Sequence, residues 1–247
     1  MIRVCIAGVT GWMGRAVAEA VDAAPDLELV AGVSRSARFT SVADALDAAP
    51  ADVLVEYTNA SIAKCNALAA VDRRVHVVMG PSGLSDPDYE EIDRRARDRG
   101  VAVVSGNFTV TAGLLLRLAA EAARHLPAWE VIDYATAAKV ESPSGTARDV
   151  AERLNGVRAP ALGVPLAQTR GALEARGATV AGSQIHSLRL PSFTISTEVV
   201  FASDGERLSI RHDSSEKPAP YVAGTLLAIR SLQGQVGLIR GLDRLLS

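Results

Sequence analysis

Over the first hundred positions the hydrophobic residues come in short unbroken runs rather than in alternation. Ile2 to Val9, Leu27 to Val33, Asp52 to Tyr57, Val75 to Met79 and Val101 to Val104 each show the pattern of a strand buried on both faces. Between them lie helix-like stretches: Arg15 to Ala24, stopped before Pro25, then Val42 to Ala48, Ile62 to Val71 and the charged Tyr89 to Arg99. Strands alternating with helices at this interval predict βαβ units and a parallel sheet. The pattern changes near Asn107. A long helix, Thr111 to His125, leads into a strand around Glu130 to Tyr134, and Ser142-Pro-Ser-Gly-Thr146 opens a helix ending at Leu154. Three strand-like runs follow with little helix between them: Ile185–Leu190, Phe193–Ala202 and Arg207–His212. Turns such as Ser203-Asp-Gly205 between consecutive strands predict a second, α+β domain with a mixed or antiparallel sheet. Residues 155–183, rich in Gly, Ala and Arg, read as a surface excursion. A helix from Tyr221 to Leu232 and a short one to Leu246 close the chain. The fold class is thus α/β, an N-terminal Rossmann-type sheet plus a second α+β domain.

Composition narrows the function classes. Of 247 residues, 48% are hydrophobic and 22% charged, which excludes a disordered or fibrous chain. The net charge of −2 provides no global field for nucleic acid or an anionic membrane, and neither is expected as a partner. No apolar stretch reaches the ~18 residues that a membrane helix needs. The opening run lacks the basic and apolar regions of a signal peptide, so a cytoplasmic location is expected. Cys5 and Cys65 lack metal-ligand spacing, so neither a disulfide framework nor a metal site is expected. Only three of the 26 basic residues are lysines, Lys64, Lys139 and Lys217. A lysine kept in so arginine-rich a chain suggests a task that arginine cannot perform, such as releasing a proton.

Gly8-Val9-Thr10-Gly11-Trp12-Met13-Gly14 lies between the first strand and the first helix. Glycines there let the backbone turn tightly and approach a pyrophosphate, whose charge the first-turn N–H groups and the helix dipole stabilise. The alternative is a tight strand–helix turn without a ligand. The second strand of such a unit ordinarily ends in an acid that binds the ribose of NAD. Here it runs into Ser34-Arg35-Ser36-Ala37-Arg38, with hydroxyls and guanidiniums and no acid. That set suits a 2′-phosphate, hence NADPH, with NADH as the alternative cofactor and a solvated basic loop as the bland reading.

Lys139 stands shortly before the Ser142–Thr146 turn. An ammonium beside a helix start with small side chains makes a site for a carboxylate. The competing reading is a helix cap in which Thr146 bonds the N–H of Asp149, with Lys139 merely solvated.

Taken together, these motifs resemble bacterial 4-hydroxy-tetrahydrodipicolinate (dihydrodipicolinate) reductases, nearly end to end. Besides the glycine turn, the anchors are Val55-Glu-Tyr57-Thr58, Gly80-Pro-Ser82-Gly83, Gly106-Asn107-Phe108-Thr109 and Lys139-Val-Glu-Ser-Pro-Ser144-Gly145-Thr146-Ala147. His186-Ser-Leu-Arg189 and Glu206–Asp213 also fit. The resemblance implies a dinucleotide-binding domain from residues 1–107 and 216–247, and a substrate and oligomerisation domain, 108–215, that builds a homotetramer. It implies hydride transfer from NAD(P)H to a C=N or conjugated C=C bond of a small carboxylated substrate.

The coenzyme candidates are then Gly8, Thr10, Gly11, Trp12, Met13 and Gly14 of the glycine turn, Ser34 and Arg35 of the basic loop, and, from the anchors of the resemblance, Tyr57, Thr58, Gly80, Ser82, Asn107 and Phe108. The substrate falls to Thr136, Lys139, Ser144, Gly145 and Thr146, with Lys139 as the candidate catalytic group. The chain departs from the family where a His-His pair is usual, which here reads Ala135-Thr136. A Gly-Glu-His element reads Ile195-Ser-Thr197, and Gly80-Pro-Ser-Gly83 replaces a Gly-Thr-Thr-Gly loop. A positioned general acid contributes roughly 10²–10⁴-fold, so these changes leave a diverged substrate, or a non-catalytic dinucleotide-binding regulator, as alternatives. His186 is the remaining imidazole nearest to a stand-in donor, against a structural role.

Overall fold

The computed structural model describes residues 1–81, 83–215 and 217–246. In chain order its first elements are β1 (Ile2–Ala7), α1 (Trp12–Asp22), β2 (Leu27–Val33), α2 (Val42–Ala48) and β3 (Val53–Glu56). Then come α3 (Ala60–Asp72), β4 (His76–Met79), α4 (Asp86–Arg99), β5 (Ala102–Ser105) and α5 (Val110–His125). They are followed by β6 (Ala128–Ala135), α6 (Gly145–Asn155), β7 (Ala178–Val180), β8 (Ser183–Arg189), β9 (Ile195–Ser203) and β10 (Glu206–Ser214). The chain closes with α7 (Ala219–Ser231) and β11 (Gly237–Arg240). It divides into two compact units, Met1–Val110 with Lys217–Ser247, and Thr111–Glu216.

The first unit is built on a parallel sheet in the order β11-β5-β4-β3-β1-β2. Every residue of β3 and β5 is buried, as unbroken apolar runs require of central strands. One face packs on α2, α3 and α4 through residues such as Leu46, Ala67 and Ile92. The other packs on α1 and α7 through Val17, Val21, Ala228 and Ile229. Reversal of strand order on either side of β1 places the ends of β1, β2 and β3 at the crevice where α/β sheets bind ligands.

The short closing helix read from the sequence is corrected. Gly237–Arg240 forms β11, parallel to β5, and only a single 3₁₀ turn at Leu242–Arg244 follows. Gly237 (φ +85°) and Gly241 (φ +93°) break the helical pattern on either side. The free edge of β5 then captures the Leu238-Ile239 pair, so tertiary pairing overrides local propensity. Residues 155–183 contain two 3₁₀ turns, at Leu166–Gln168 and Leu173–Arg176, and the edge strand β7.

The second unit is a mixed sheet in the order β10-β9-β6-β8-β7, in which only β6 and β8 run parallel. Asp204-Gly205 closes the β9–β10 hairpin, with Gly205 at φ +79°. Along β6, inward and outward positions alternate strictly. The inward face (Trp129, Val131, Val199, Phe201 and Ile185) packs on Leu115 and Leu116 of α5 and on Val150 and Leu154 of α6.

Candidate active site

The coenzyme candidates lie in the first unit. At Gly8 (φ +83°) a Cβ would stand 2.5 Å from the Tyr57 carbonyl oxygen, and at Gly14 one would stand 2.0 Å from the Gly8 carbonyl oxygen. Neither position admits a side chain. The N-cap of α1 is Gly11, which has no side chain to cap with, and the first turn holds no acid. The helix begins at Trp12, three residues before the Arg15 start read from the sequence. Its first amides and the positive end of its dipole thus meet no capping side chain of the protein. A cradle that any Cβ would fill, at an uncapped helix start, fits the diphosphate of a dinucleotide. Thr10 and Trp12 are exposed on this turn, Trp12 edge-on to Tyr221 of α7 at 6.4 Å between centroids, while Met13 is buried and anchors it.

Beyond β2, the Ser36 N–H donates to Ser34 Oγ at 3.2 Å, shaping a tight loop. Arg38 lies over the Phe39 ring at 5.0 Å. Arg35 is exposed and forms no ion pair among the described residues, so its guanidinium is available to an anion.

Glu56, at the end of β3, is fully buried. Its carboxylate accepts the Thr58 N–H at 2.7 Å, the Thr58 hydroxyl, and the Asn66 amide at 2.7 Å. Burial nevertheless pushes its pKa up, outweighing those donors. Tyr57 donates or accepts at 2.6 Å with Thr225 of α7, and its ring meets Phe108 edge-on. A Cβ at Gly80 would stand 2.1 Å from the Tyr57 ring, so the Gly80 loop is glycine by necessity. Ser82, the next candidate, lies outside the described residues. Asn107 accepts the Thr109 N–H at 2.9 Å, while the Phe108 ring is buried in the core and its carbonyl lies against α7. There a Cβ at Gly224 would stand 1.8 Å from the Phe108 carbonyl oxygen. Glu56, Gly224 and Thr225 were not among the sequence candidates. Their role depends on contacts across more than a hundred residues for Thr225, which no local motif announces.

The substrate candidates lie in the second unit, where β6 gives way to α6. Thr136 N–H donates to the Thr194 carbonyl at 3.2 Å and Lys139 N–H to the Thr136 carbonyl at 3.1 Å, making a turn. Lys139 Nζ is 3.5 Å from Glu141 Oε2, and this ammonium helps to hold the exposed Glu141 carboxyl below its usual range, after a backbone hydrogen bond. The helix cap expected at Thr146 is instead Ser144, whose Oγ accepts the Ala147 N–H at 3.3 Å. The buried Ser144 starts the helix two residues earlier, and Thr146 becomes a first-turn residue. Gly145 is exposed, with nothing within 4 Å of where a side chain would begin.

Behind this turn stands a residue the sequence reading passed over. Asp133 is 1% exposed, and its Oδ2 accepts the Ser144 N–H at 2.8 Å, the Ser187 hydroxyl at 3.1 Å and Arg189 Nη2 at 2.8 Å. Those donors hold its pKa below the usual value although burial opposes them. Arg189 also donates to the Glu141 carbonyl at 2.6 Å. The signal was a carboxylate in phase with Trp129 and Val131 on an alternating strand.

The histidines sort by face. His186 pairs across β6 with Ile132, on the outward face, and its Nε2 is 2.7 Å from Glu130, which also binds Arg176. It lies on the side of the sheet away from Asp133. Tyr134, on that same outward face, donates to Glu198 at 3.0 Å and stacks on Phe193. His212 is on the inward face, buried, with Nδ1 2.8 Å from Thr111 Oγ1. Lysine scarcity proves a blunt signal, because Lys64 sits in plain ion pairs with Asp88 and Glu91, each at 2.7 Å. Among the described residues no group of three or more His, Cys, Asp or Glu could hold a metal, and no helix is long and apolar enough to cross a membrane.

Comparison with known proteins meets this geometry. The chain is 36% identical over 250 residues to 4-hydroxy-tetrahydrodipicolinate reductase of Cutibacterium acnes, covering all of this chain and 99% of that one. It is 36% identical over 246 residues to the enzyme of the same name from Beutenbergia cavernae, covering 98% and 97%. The dipicolinate-bound dihydrodipicolinate reductase of Paenisporosarcina sp. TG-14 superposes with a TM-score of 0.85, at 26% identity and complete coverage of both chains. The dihydrodipicolinate reductase N-terminus profile matches residues 2–108 and the C-terminus profile matches residues 111–246. With both halves of the profile matched in order on the two units, the chain belongs to the dihydrodipicolinate reductase family.

Proposed function

We propose that this chain is an NAD(P)H-dependent oxidoreductase that reduces 4-hydroxy-tetrahydrodipicolinate, the activity its relatives are named for. One observation carries the coenzyme half: the turn at Gly8 and Gly14, closed to any Cβ and leading into an uncapped α1. Bound NAD(P)H supplies the hydride. The protein's own part is to seat the diphosphate on the first-turn amides of Trp12, Met13 and Gly14, the Gly11 N–H being spent on the Gly8 carbonyl at 2.8 Å, and to fix the Tyr57-Thr58, Gly80 and Asn107-Phe108 loops. Glu56 holds Thr58 and Thr225 holds Tyr57, against whose ring Gly80 and Phe108 pack, while Asn107 holds its own turn through the Thr109 N–H. Arg35, exposed and without an ion-pair partner among the described residues, favours NADPH over NADH through the 2′-phosphate.

The turn at α6 serves the substrate in this reading. Gly145 and Thr146 offer first-turn amides, Ser144 caps the helix, and Lys139 supplies positive charge for a carboxylate. A relative crystallised with dipicolinate, a planar dicarboxylate, supports a carboxylated ring as the ligand. Lys139 is also the group in this turn able to hold a proton for the reduced bond, Thr136 being too weak an acid near pH 7.

A second reading, reduction of another carboxylated imine, enone or ketone, draws on the absence of an imidazole from Tyr134 to Lys139. Purified protein with NADPH and the family substrate decides between them. Oxidation of coenzyme, abolished by Lys139→Ala, is expected. Tight NADPH binding with turnover of other substrates only would favour the second reading, and binding with no turnover would favour a regulator. The same proposal includes a cytoplasmic homotetramer, its oligomeric state to be read by light scattering.

A further inference from the structure

The inward face of the second sheet changes character along its length. One cross-strand row is wholly apolar: Ile210, Val199, Val131 and Ile185. The next inward row, two residues along, is wholly polar: His212, Thr197, Asp133 and Ser187. Three of its members are buried, at 3%, 0% and 1% exposure for His212, Thr197 and Asp133. Among the described residues, His212 Nε2, Thr197 Oγ1 and Asp133 Oδ1 have no hydrogen-bond partner, nor has Arg189 Nε beside them. Neighbouring positions on antiparallel strands lie about 5 Å apart at Cβ, so these groups form one buried polar line. A sheet shaped only for stability would continue the valine row. Polar groups left short of partners in a core mark a place where stability has yielded to another demand.

That demand is visible at the other oxygen of Asp133. Oδ2 alone collects the Ser144 N–H, the Ser187 hydroxyl and Arg189 Nη2, and the same Nη2 reaches the Glu141 carbonyl. Both ends of the segment that follows Lys139 are thereby tied to one buried ion pair. α6 does not need this tie to be helical, since Ser144 Oγ caps it and Ala147, Val150, Ala151 and Leu154 bury its inner face.

We propose that Asp133, clamped by Arg189 and set in the polar row with Thr197 and His212, is a positioning residue that holds Lys139 and the Gly145-Thr146 amides in register for a substrate carboxylate. This rests on the reading of the α6 turn as the carboxylate site. Asp133 touches no reacting atom. It acts by fixing where the α6 turn begins, and displacement of a binding group by about 1 Å costs on the order of 10²-fold.

The test is the affinity of the NADPH-loaded protein for dipicolinate, measured by calorimetry, together with KM and kcat for the family substrate. Asp133→Asn keeps the shape but loses the charge on which the three donors converge. Its dipicolinate Kd and KM should rise on the order of tenfold to a hundredfold, with NADPH affinity unchanged and kcat moving less. If Asp133→Asn does not fold, Arg189→Lys carries the test, because one ammonium cannot bond the Asp133 carboxylate and the Glu141 carbonyl, as Nη2 does, while also reaching the Asp133 and Leu188 carbonyls that Nη1 holds. A folded variant with unchanged dipicolinate affinity overturns the proposal. So does weakening of dipicolinate and NADPH together with a collapsed melting transition, which marks a purely structural residue. Lys139→Ala separates the two layers. If it weakens dipicolinate while Asp133→Asn and Arg189→Lys do not, only the clamp falls. If Lys139→Ala leaves dipicolinate binding intact, the carboxylate reading falls and takes the clamp with it.

Discussion

The starts of α1 and α6 are two solutions to presenting helix amides to an anion. At α1 there is no side chain at all: Gly11 is the cap, and Gly8 and Gly14 let backbone approach backbone. At α6 the same end is held by side chains, with Ser144 as cap and Asp133 and Arg189 behind it. The first is rigid because nothing else fits, and the second because charges and hydrogen bonds converge. A glycine turn therefore fails by steric intrusion, whereas a side-chain clamp fails by losing a partner, and the two should respond differently to substitution.

The largest effect is expected at the glycine turn. Gly14→Ala places a methyl 2.0 Å from the Gly8 carbonyl oxygen, which overpacks the turn at a cost of about 1–3 kcal/mol and should abolish NADPH binding in a fluorescence titration. Near-normal binding would show that α1 can shift, and the contrast with α6 would fail. Next, Arg35→Ala should weaken NADPH by roughly 1.5–3 kcal/mol, the range for a hydrogen bond to a charged group, and NADH far less. Equal weakening would remove the phosphate argument. At α6, Ser144→Ala should lower stability by about 1 kcal/mol through the lost cap, read as a shift in denaturant midpoint.

The smallest expected effect is on pH dependence. Burial lowers the pKa of both His76, whose Nδ1 accepts the Ala102 N–H at 3.0 Å, and His212. With folded values below the unfolded one, the neutral rings contribute stability that is present above the unfolded pKa of about 6.5 and lost as pH falls through the folded values. Melting temperature should thus decline with acidification below pH 6.5, and His76→Gln and His212→Gln should each flatten the decline in its own unit. A decline unchanged in both variants would assign it to carboxylates instead.

The same contrast explains what the sequence made legible. The glycine turn is local, since its residues, spacing and flanking strand are contiguous, and β2 and α2 run over the boundaries that periodicity predicts. The α6 clamp is not local. Asp133 meets Ser144 eleven positions on, but Ser187 and Arg189 lie 54 and 56 positions away. Only the phase of Asp133 within β6 hinted at it, and its partners emerge once β8 pairs in parallel with β6. The cap assigned to Thr146 rather than Ser144 is a smaller case of the same kind. Both residues can cap, and the one that does is Ser144, whose own amide donates to Asp133. For β11 the missing information was the open edge of β5, which a reading of its own few residues could not contain.

That last strand has a kinetic consequence. β11 completes the sheet begun by β1, and the entire second unit is threaded between β5 and its neighbour. During synthesis the β5 edge must wait, its ladder groups exposed, until more than a hundred further residues have left the ribosome. Nascent chains stalled before Gly237 should accordingly be the most adhesive species this protein ever forms, and those released after Arg240 among the least.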